Sequence, residues 1–265
     1  MEHFLWLIVI GFALGTLGTL IGAGGGFILM PFLILLYPDA KPDTITSISL
    51  AIVFFNAFSG SYAYARLKRI DYKSGLFFAA ASVPGAIVGS LTTNYIPRQL
   101  FNTIFGVLML LSAVYLSFYR TAENTPQRVG GSIAAEHPST SNLTLGMGLS
   151  FFVGYLSSLL GIGGGIVHVP ILVRILGYSV HTATATSHFI LAIMALTGTI
   201  THITAGSFSH GGIRRTIFLG IGVTIGAQVG AWLSSHIHGK WIIRGLAIAL
   251  AFVGVRILIL AILSH

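Results

Sequence analysis

Cysteine is absent from the 265 residues, and charge is scarce, with Asp, Glu, Lys and Arg together making up 8% of the chain. The first absence excludes disulfides, thiolate metal sites and any cysteine-based substrate relay. The acids number six: Glu2, Asp39, Asp43, Asp71, Glu123 and Glu136. All fall near a terminus or in polar connections, and none lies inside an apolar stretch. Carriers coupled to sodium or protons, and carriers of cations, commonly bury an acid in the membrane. That anchor is missing here, which argues against a cationic substrate. The His spacings match no metal motif such as H-E-x-x-H, so neither a metal nor a cofactor is expected.

What is present is apolar. Hydrophobic residues make up 54% of the chain and the mean hydropathy is +0.90, far outside a soluble globular profile. About eight apolar stretches can be marked, at 4–37, 44–65, 74–95, 100–119, 145–176, 182–205, 213–235 and 241–263. Most approach the ~20 residues of a spanning helix. Trp6, Tyr37, Tyr95, Tyr119, Trp232 and Trp241 sit near their ends, as interfacial aromatics do. The expected class is an all-α polytopic membrane protein. The opening residues carry Glu2, no Lys or Arg, and no A-x-A site, so no cleaved signal peptide is predicted. The net charge of +8 reflects in part the loop Lys/Arg that set topology, and nucleic acid is not implied.

The first and fifth stretches are broken by glycine. Gly22-Ala23-Gly24-Gly25-Gly26 is followed by Pro31, and Gly161-Ile162-Gly163-Gly164-Gly165 by Pro170. Three adjacent glycines disfavour a helix, each costing about 1 kcal/mol against alanine. In hydrocarbon such backbone survives only where protein buries it or a wet cavity solvates it. Paired interruptions in two halves point to a transporter's binding site. Around them the halves align. Thr44, Thr46, Ser47 and Ser49 match Thr182, Thr184, Thr186 and Ser187; Ser59-Gly60 matches Thr197-Gly198; Gly85 and Gly89 match Gly226 and Gly230. The division is an N-terminal transmembrane repeat at 1–119, a polar linker at 120–143 and a C-terminal repeat at 144–265. If the broken stretches cross fully, the halves lie parallel; if they enter and return, the halves are inverted. Positive-inside bias is slightly greater for the inverted arrangement, which also brings both breaks to a shared midplane site.

A helix restarting inside the membrane presents unpaired N–H groups and the positive end of its dipole, an anion site without side-chain charge. Gly24, Gly25, Gly26, Gly163, Gly164 and Gly165 are the candidate backbone contacts. Ser47, Ser49, Asn56 and Ser59, with Thr186, Ser187, His188 and Thr197, are candidate lining; the alternative is that the hydroxyls bond their own helix or a neighbour. His168, His188 and His202 are the groups that could carry a coupled proton, and His168 and His188 are also candidate substrate contacts. Gly-xxx-Gly spacing at Gly222/Gly226/Gly230 reads as helix packing. A dinucleotide fingerprint fails because Phe27 and Ile166 stand where glycine is needed. An intramembrane Ser/His enzyme is disfavoured: Ser187 and His188 point about 100° apart on a helix, and Gly-x-Ser-x-Gly occurs nowhere.

These signatures, with Pro84-Gly85-xxx-Gly89, resemble the sulfite exporter TauE/SafE family, a group of 4-toluene sulfonate uptake permease-type membrane transporters. The likeness covers nearly the whole chain apart from the linker. It implies a multi-pass carrier of the bacterial or archaeal inner membrane, built of two homologous halves, that moves sulfite, sulfoacetate or a related organosulfonate. Two features depart from the family pattern. His168 takes a place that tends to be aliphatic, and the lack of cysteine disfavours the sulfur relay of thiosulfate-handling relatives. An anion channel with the same filter is the alternative.

Overall fold

The computed structural model describes residues 5–22, 24–118, 140–175, 177–208, 212–234 and 240–263. Among these residues there are ten helices and no strand. They are α1 (Leu5–Ile21), α2 (Gly26–Leu36), α3 (Pro42–Arg66), α4 (Tyr72–Thr93), α5 (Arg98–Phe118), α6 (Thr140–Leu160), α7 (Gly165–Ile175), α8 (Val180–Thr204), α9 (Gly212–Leu233) and α10 (Lys240–Leu263). The linker expected at 120–143 lies outside the described residues up to 139, and α6 begins at Thr140, ahead of the expected boundary.

The helix ends have local causes. Pro42 opens α3 at a position where no N–H is needed. Asp71 caps α4, its carboxylate accepting from the Lys73 and Ser74 N–H groups at 3.0 and 3.3 Å. Ser179 caps α8 by accepting from the Thr182 N–H at 3.2 Å. Gly25 caps α2 at φ +77°, a left-handed conformation in which a side chain would be strained. Helices α2 and α7 have 11 residues each, about 16 Å at 1.5 Å per residue, roughly half the bilayer core. By contrast α3, α4, α8 and α9 are long and apolar enough to cross a membrane.

Helices α3 and α8 pack on each other at the centre. Helix α9 covers α3 and α4 covers α8; α1 then packs on α9, α6 on α4, and α5 pairs with α10. Glycine permits the closest of these contacts. A methyl group at Gly222, Gly226 or Gly230 of α9 would run into the α1 carbonyls of Ile8, Phe12 and Thr16. Gly85 and Gly89 of α4 meet the carbonyls of Phe151 and Tyr155 on α6 in the same way. The outer face of α9 is the reverse: Ile213, Ile217, Ile221, Ile225, Val229 and Trp232 are exposed at near four-residue intervals. A helix with a small-residue face inward and an aliphatic stripe outward is built for lipid rather than water.

Candidate functional site

The two stretches between half-helices meet at the middle of α3 and α8. A methyl group at Gly26 would lie 2.9 Å from the carbonyl oxygens of both Gly161 and Ile162. One at Gly24 would lie 3.8 Å from the Gly163 carbonyl and in collision with Leu191 of α8. Val53, near the centre of α3, touches Gly24, Gly26 and Gly163 alike. Gly24, Gly25, Gly26, Gly163, Gly164 and Gly165 are all buried. The central helices brace the turns from outside. Ser49 donates to the Gly161 carbonyl at 2.6 Å, Thr46 packs on Gly161, and Thr184 packs on Gly22.

Beside the first turn lies a polar cluster on one face of α3. Thr19 of α1 donates its hydroxyl to Asn56 Oδ1 at 3.0 Å. The Asn56 amide nitrogen therefore faces Gly18 and Gly25, where a methyl group would lie 3.1 and 3.3 Å from it. Tyr64, two turns further along α3, donates to the Thr19 carbonyl at 3.1 Å. Its ring meets the His188 imidazole edge to face, centroids 5.4 Å apart. His188 crosses α3 at Gly60, where a methyl group would come within 2.6 Å of the ring. Asn56 and His188 are fully buried, and Asn56 Nδ2 and His188 Nε2 have no hydrogen-bond partner. Buried polar atoms are nearly always paired, so unpaired ones ask for a reason.

The remaining sequence candidates are dispersed. Ser47 donates to the Thr44 carbonyl of its own helix at 2.8 Å, and Thr197 likewise to Ile193 at 3.0 Å. Ser59 donates to the Thr224 carbonyl of α9 and accepts from Gln228, both at 2.8 Å. Thr186 points the other way from His188 and accepts from the Asp71 N–H at 3.1 Å. The Ser187 hydroxyl is buried without a partner. His168 Nε2 meets Ser150 of α6 at 3.3 Å, and His202 Nδ1 meets Ser207 at 3.3 Å. The structure thus gathers the glycines, Ser49, Asn56 and His188, and leaves Ser47, Thr186, His168 and His202 on other contacts. Thr19, Tyr64 and Gly60 are cluster members that the motif reading did not select as site residues. For Gly60 and Tyr64 the signal was the four-residue spacing Asn56–Gly60–Tyr64, one face of a helix; Thr19, on α1, had none.

Ties close the ends of the half-helices. Past α7, the Tyr178 hydroxyl donates to the Asp71 carboxylate and lies 2.8 Å from the Ser74 hydroxyl. Burial alone would raise the Asp71 carboxyl. Hydrogen bonds from Tyr178, Ser74 and the Ser74 and Lys73 backbone outweigh it and hold the group below its ordinary value. Burial, and then the bond to Asp71, push the Tyr178 phenol up to about 12. Past α2, the Arg215 guanidinium of α9 stacks 4.0 Å over the Tyr37 ring. Arg98 donates to the carbonyls of Ile34, Tyr37 and Ala40.

Comparison with known proteins fits this architecture. The chain is 31% identical to YunE, a probable membrane transporter protein of Bacillus subtilis, over 96% of this chain and 97% of that one. It is 27% identical to the probable membrane transporter protein MJ0441 of Methanocaldococcus jannaschii, over 88% of this chain and 87% of that one. A second Bacillus subtilis protein, the probable membrane transporter protein YdhB, is 26% identical over 85% and 88%. No solved structure matches the chain. The family model for sulfite exporter TauE/SafE matches residues 7–257. With its apolar helices and this match across nearly its whole length, the chain is a multi-pass membrane transporter belonging to the sulfite exporter TauE/SafE family.

Proposed function

We infer that the transporter carries a small sulfur-containing oxyanion, such as sulfite, sulfoacetate or a related organosulfonate, by alternating access. The observation that carries this reading is the meeting of Gly24–Gly26 with Gly161–Gly163 between the centres of α3 and α8, beside a buried amide donor with no partner. Backbone N–H groups at the starts of α2 and α7, with the helix dipoles, replace the anion's hydration shell. Gly24, Gly25, Gly26, Gly163, Gly164 and Gly165 let it approach the backbone. Asn56, Ser49 and His188 are its side-chain partners at the turns, and Ser187 adds a buried hydroxyl with no partner. Ser47, Thr186 and His168 become partners if the helices turn during transport. A coupled proton would travel on His168, His188 or His202.

The two halves act as inverted repeats. Helices α1 to α5 and α6 to α10 exchange partners reciprocally, α1 on α9 as α6 is on α4, and α3 on α9 as α8 is on α4. The units that rock around the shared turns therefore mix the halves, α1 moving with α9 on one side and α6 with α4 on the other.

The test is flux of radiolabelled sulfite in proteoliposomes, beside sulfoacetate and sulfate, with Gly25→Leu and Gly164→Leu as controls. Saturable sulfite flux lost in both variants is the expected result. Flux that survives leucine removes the glycine turns from the mechanism. Non-saturating flux without counterflow would make the protein a channel.

A further inference from the structure

The hydrogen-bond complement of the Asn56–His188 cluster defines what can bind there. Thr19 donates to Asn56 Oδ1, which fixes the amide's orientation and leaves its N–H₂ donors as the end without a partner. On His188, Nδ1 lies 3.1 Å from the Thr184 carbonyl. A carbonyl can only accept, so Nδ1 carries the ring hydrogen, and Nε2 of the neutral ring offers a lone pair. The two open atoms thus present one donor and one acceptor. The two residues flank the same Thr19 side chain, whose hydroxyl bonds Asn56 Oδ1 and whose methyl group lies at Gly60 beside the His188 ring. Asn56 and Gly60 are one helical turn apart on α3, about 6 Å.

A fully ionised oxyanion has lone pairs only. It satisfies Asn56 and repels the Nε2 lone pair. A proton placed between an anion oxygen and Nε2 satisfies both. Resting on the oxyanion reading above, we propose that each anion binds together with one proton, held between an anion oxygen and His188 Nε2 while a second oxygen accepts from Asn56. The proton arrives either on the anion, as a monoprotonated oxyanion, or on the imidazole; the bound arrangement is the same. Thr19 is a positioning residue that fixes which end of the Asn56 amide faces the anion.

The Asn56–His188 pair is not repeated at the equivalent place in the other half. At the counterpart crossing in the other half, Gly198 meets Leu50 rather than a histidine. Counting from Gly198 as Asn56 stands from Gly60, the amide's place is taken by Met194. The pair therefore takes up one proton with the anion it holds. Charged residues on the helices packed against α8 stand at helix ends: Asp43 and Arg66 on α3, Lys73 on α4, Arg174 on α7. From α3 the titratable side chain facing the ring is Tyr64. From α7, His168 is turned to Ser150 of α6, and on α8 itself His202 is bonded to Ser207.

The experiment is calorimetric binding of methanesulfonate and of sulfite to the purified full-length protein, between about pH 5 and pH 8, in buffers of differing ionisation enthalpy. Methanesulfonate stays ionised throughout, so any proton taken up with it comes to the protein; sulfite can bring its own. The expected result is one proton taken up per methanesulfonate and an affinity rising about tenfold for each unit of falling pH. His188→Gln removes both effects, and His181→Gln keeps them. Thr19→Val weakens binding without changing the proton count, and Thr19→Ser restores it. Methanesulfonate binding without proton uptake, or uptake that persists in His188→Gln, overturns the proposal while leaving the anion reading standing. The proton count on the unaltered protein decides the matter even where a variant fails to fold. Failure of both anions to bind overturns the anion reading and this proposal with it.

Discussion

Ser49 and Gly161 are joined across the two halves: the hydroxyl in the middle of α3 donates to the carbonyl at the turn between α6 and α7, 2.6 Å away. Ser49→Ala leaves that carbonyl without its side-chain donor inside the protein. A hydrogen bond between helices in a membrane contributes about 1 kcal/mol. The expected outcome is a fall of a few degrees in the melting temperature in detergent, with transport reduced because the turn loses its brace. A melting temperature unchanged alongside full transport would show the bond to be dispensable.

The Asp71–Tyr178 tie predicts a stability profile with two edges. The Asp71 carboxyl is held below its ordinary value of 3.8 in the fold, so its contribution is complete above that value and fades as pH falls through the folded value. The Tyr178 phenol is raised from 10.0 to about 12, so its contribution is complete below pH 10 and fades as pH rises toward 12. Thermal unfolding against pH should lose the alkaline edge in Tyr178→Phe and the acid edge in Asp71→Asn. Identical profiles for the variants and the parent would disprove the assignment.

The same tie can be read chemically, since the parent chain carries no thiol of its own. Ser74 is 5% exposed and lies against the Tyr178 hydroxyl. A Ser74→Cys protein should react slowly with a membrane-impermeant maleimide, and severalfold faster once Tyr178→Phe is added. Equal rates would mean that the tie does not restrain this end of α4.

Neighbouring positions on α9 should respond oppositely to the same residue. Gly226→Leu drives a side chain into the Phe12 carbonyl of α1, and the expected result is loss of a monodisperse protein on size exclusion. Ile225→Leu, on an exposed position, should leave elution and melting unchanged. Tolerance at Gly226 would contradict the packing of α1 on α9.

The glycine interruptions were legible in the chain because their cause is local: three glycines disfavour a helix. The starts of α3, α4 and α8 were not, because the apolar stretches at 44, 74 and 182 begin two residues inside them, past the Pro42, Asp71 and Ser179 that open them. The cluster was only half legible. Asn56 and His188 could be chosen because an amide or imidazole is costly to bury. Thr19 could not, because its role depends on where α1 crosses α3. Thr186, Ser187 and His188 were grouped as neighbours in sequence, yet successive helical residues point about 100° apart. Thr186 accordingly faces the loop before α4, while His188 faces α3 and Tyr64.

The reciprocal packing has a consequence for how the protein is made. The groove that receives α1 is on α9, which ends at Leu233, near the far end of the chain. A ribosome delivers these helices in order, so α1 enters the bilayer with its glycine face bare and stays so through most of synthesis. Helix α6, by contrast, finds α4 already in place. The first half must therefore wait for the second to close around it, and a truncation anywhere before α9 would strand an unmated helix in the lipid.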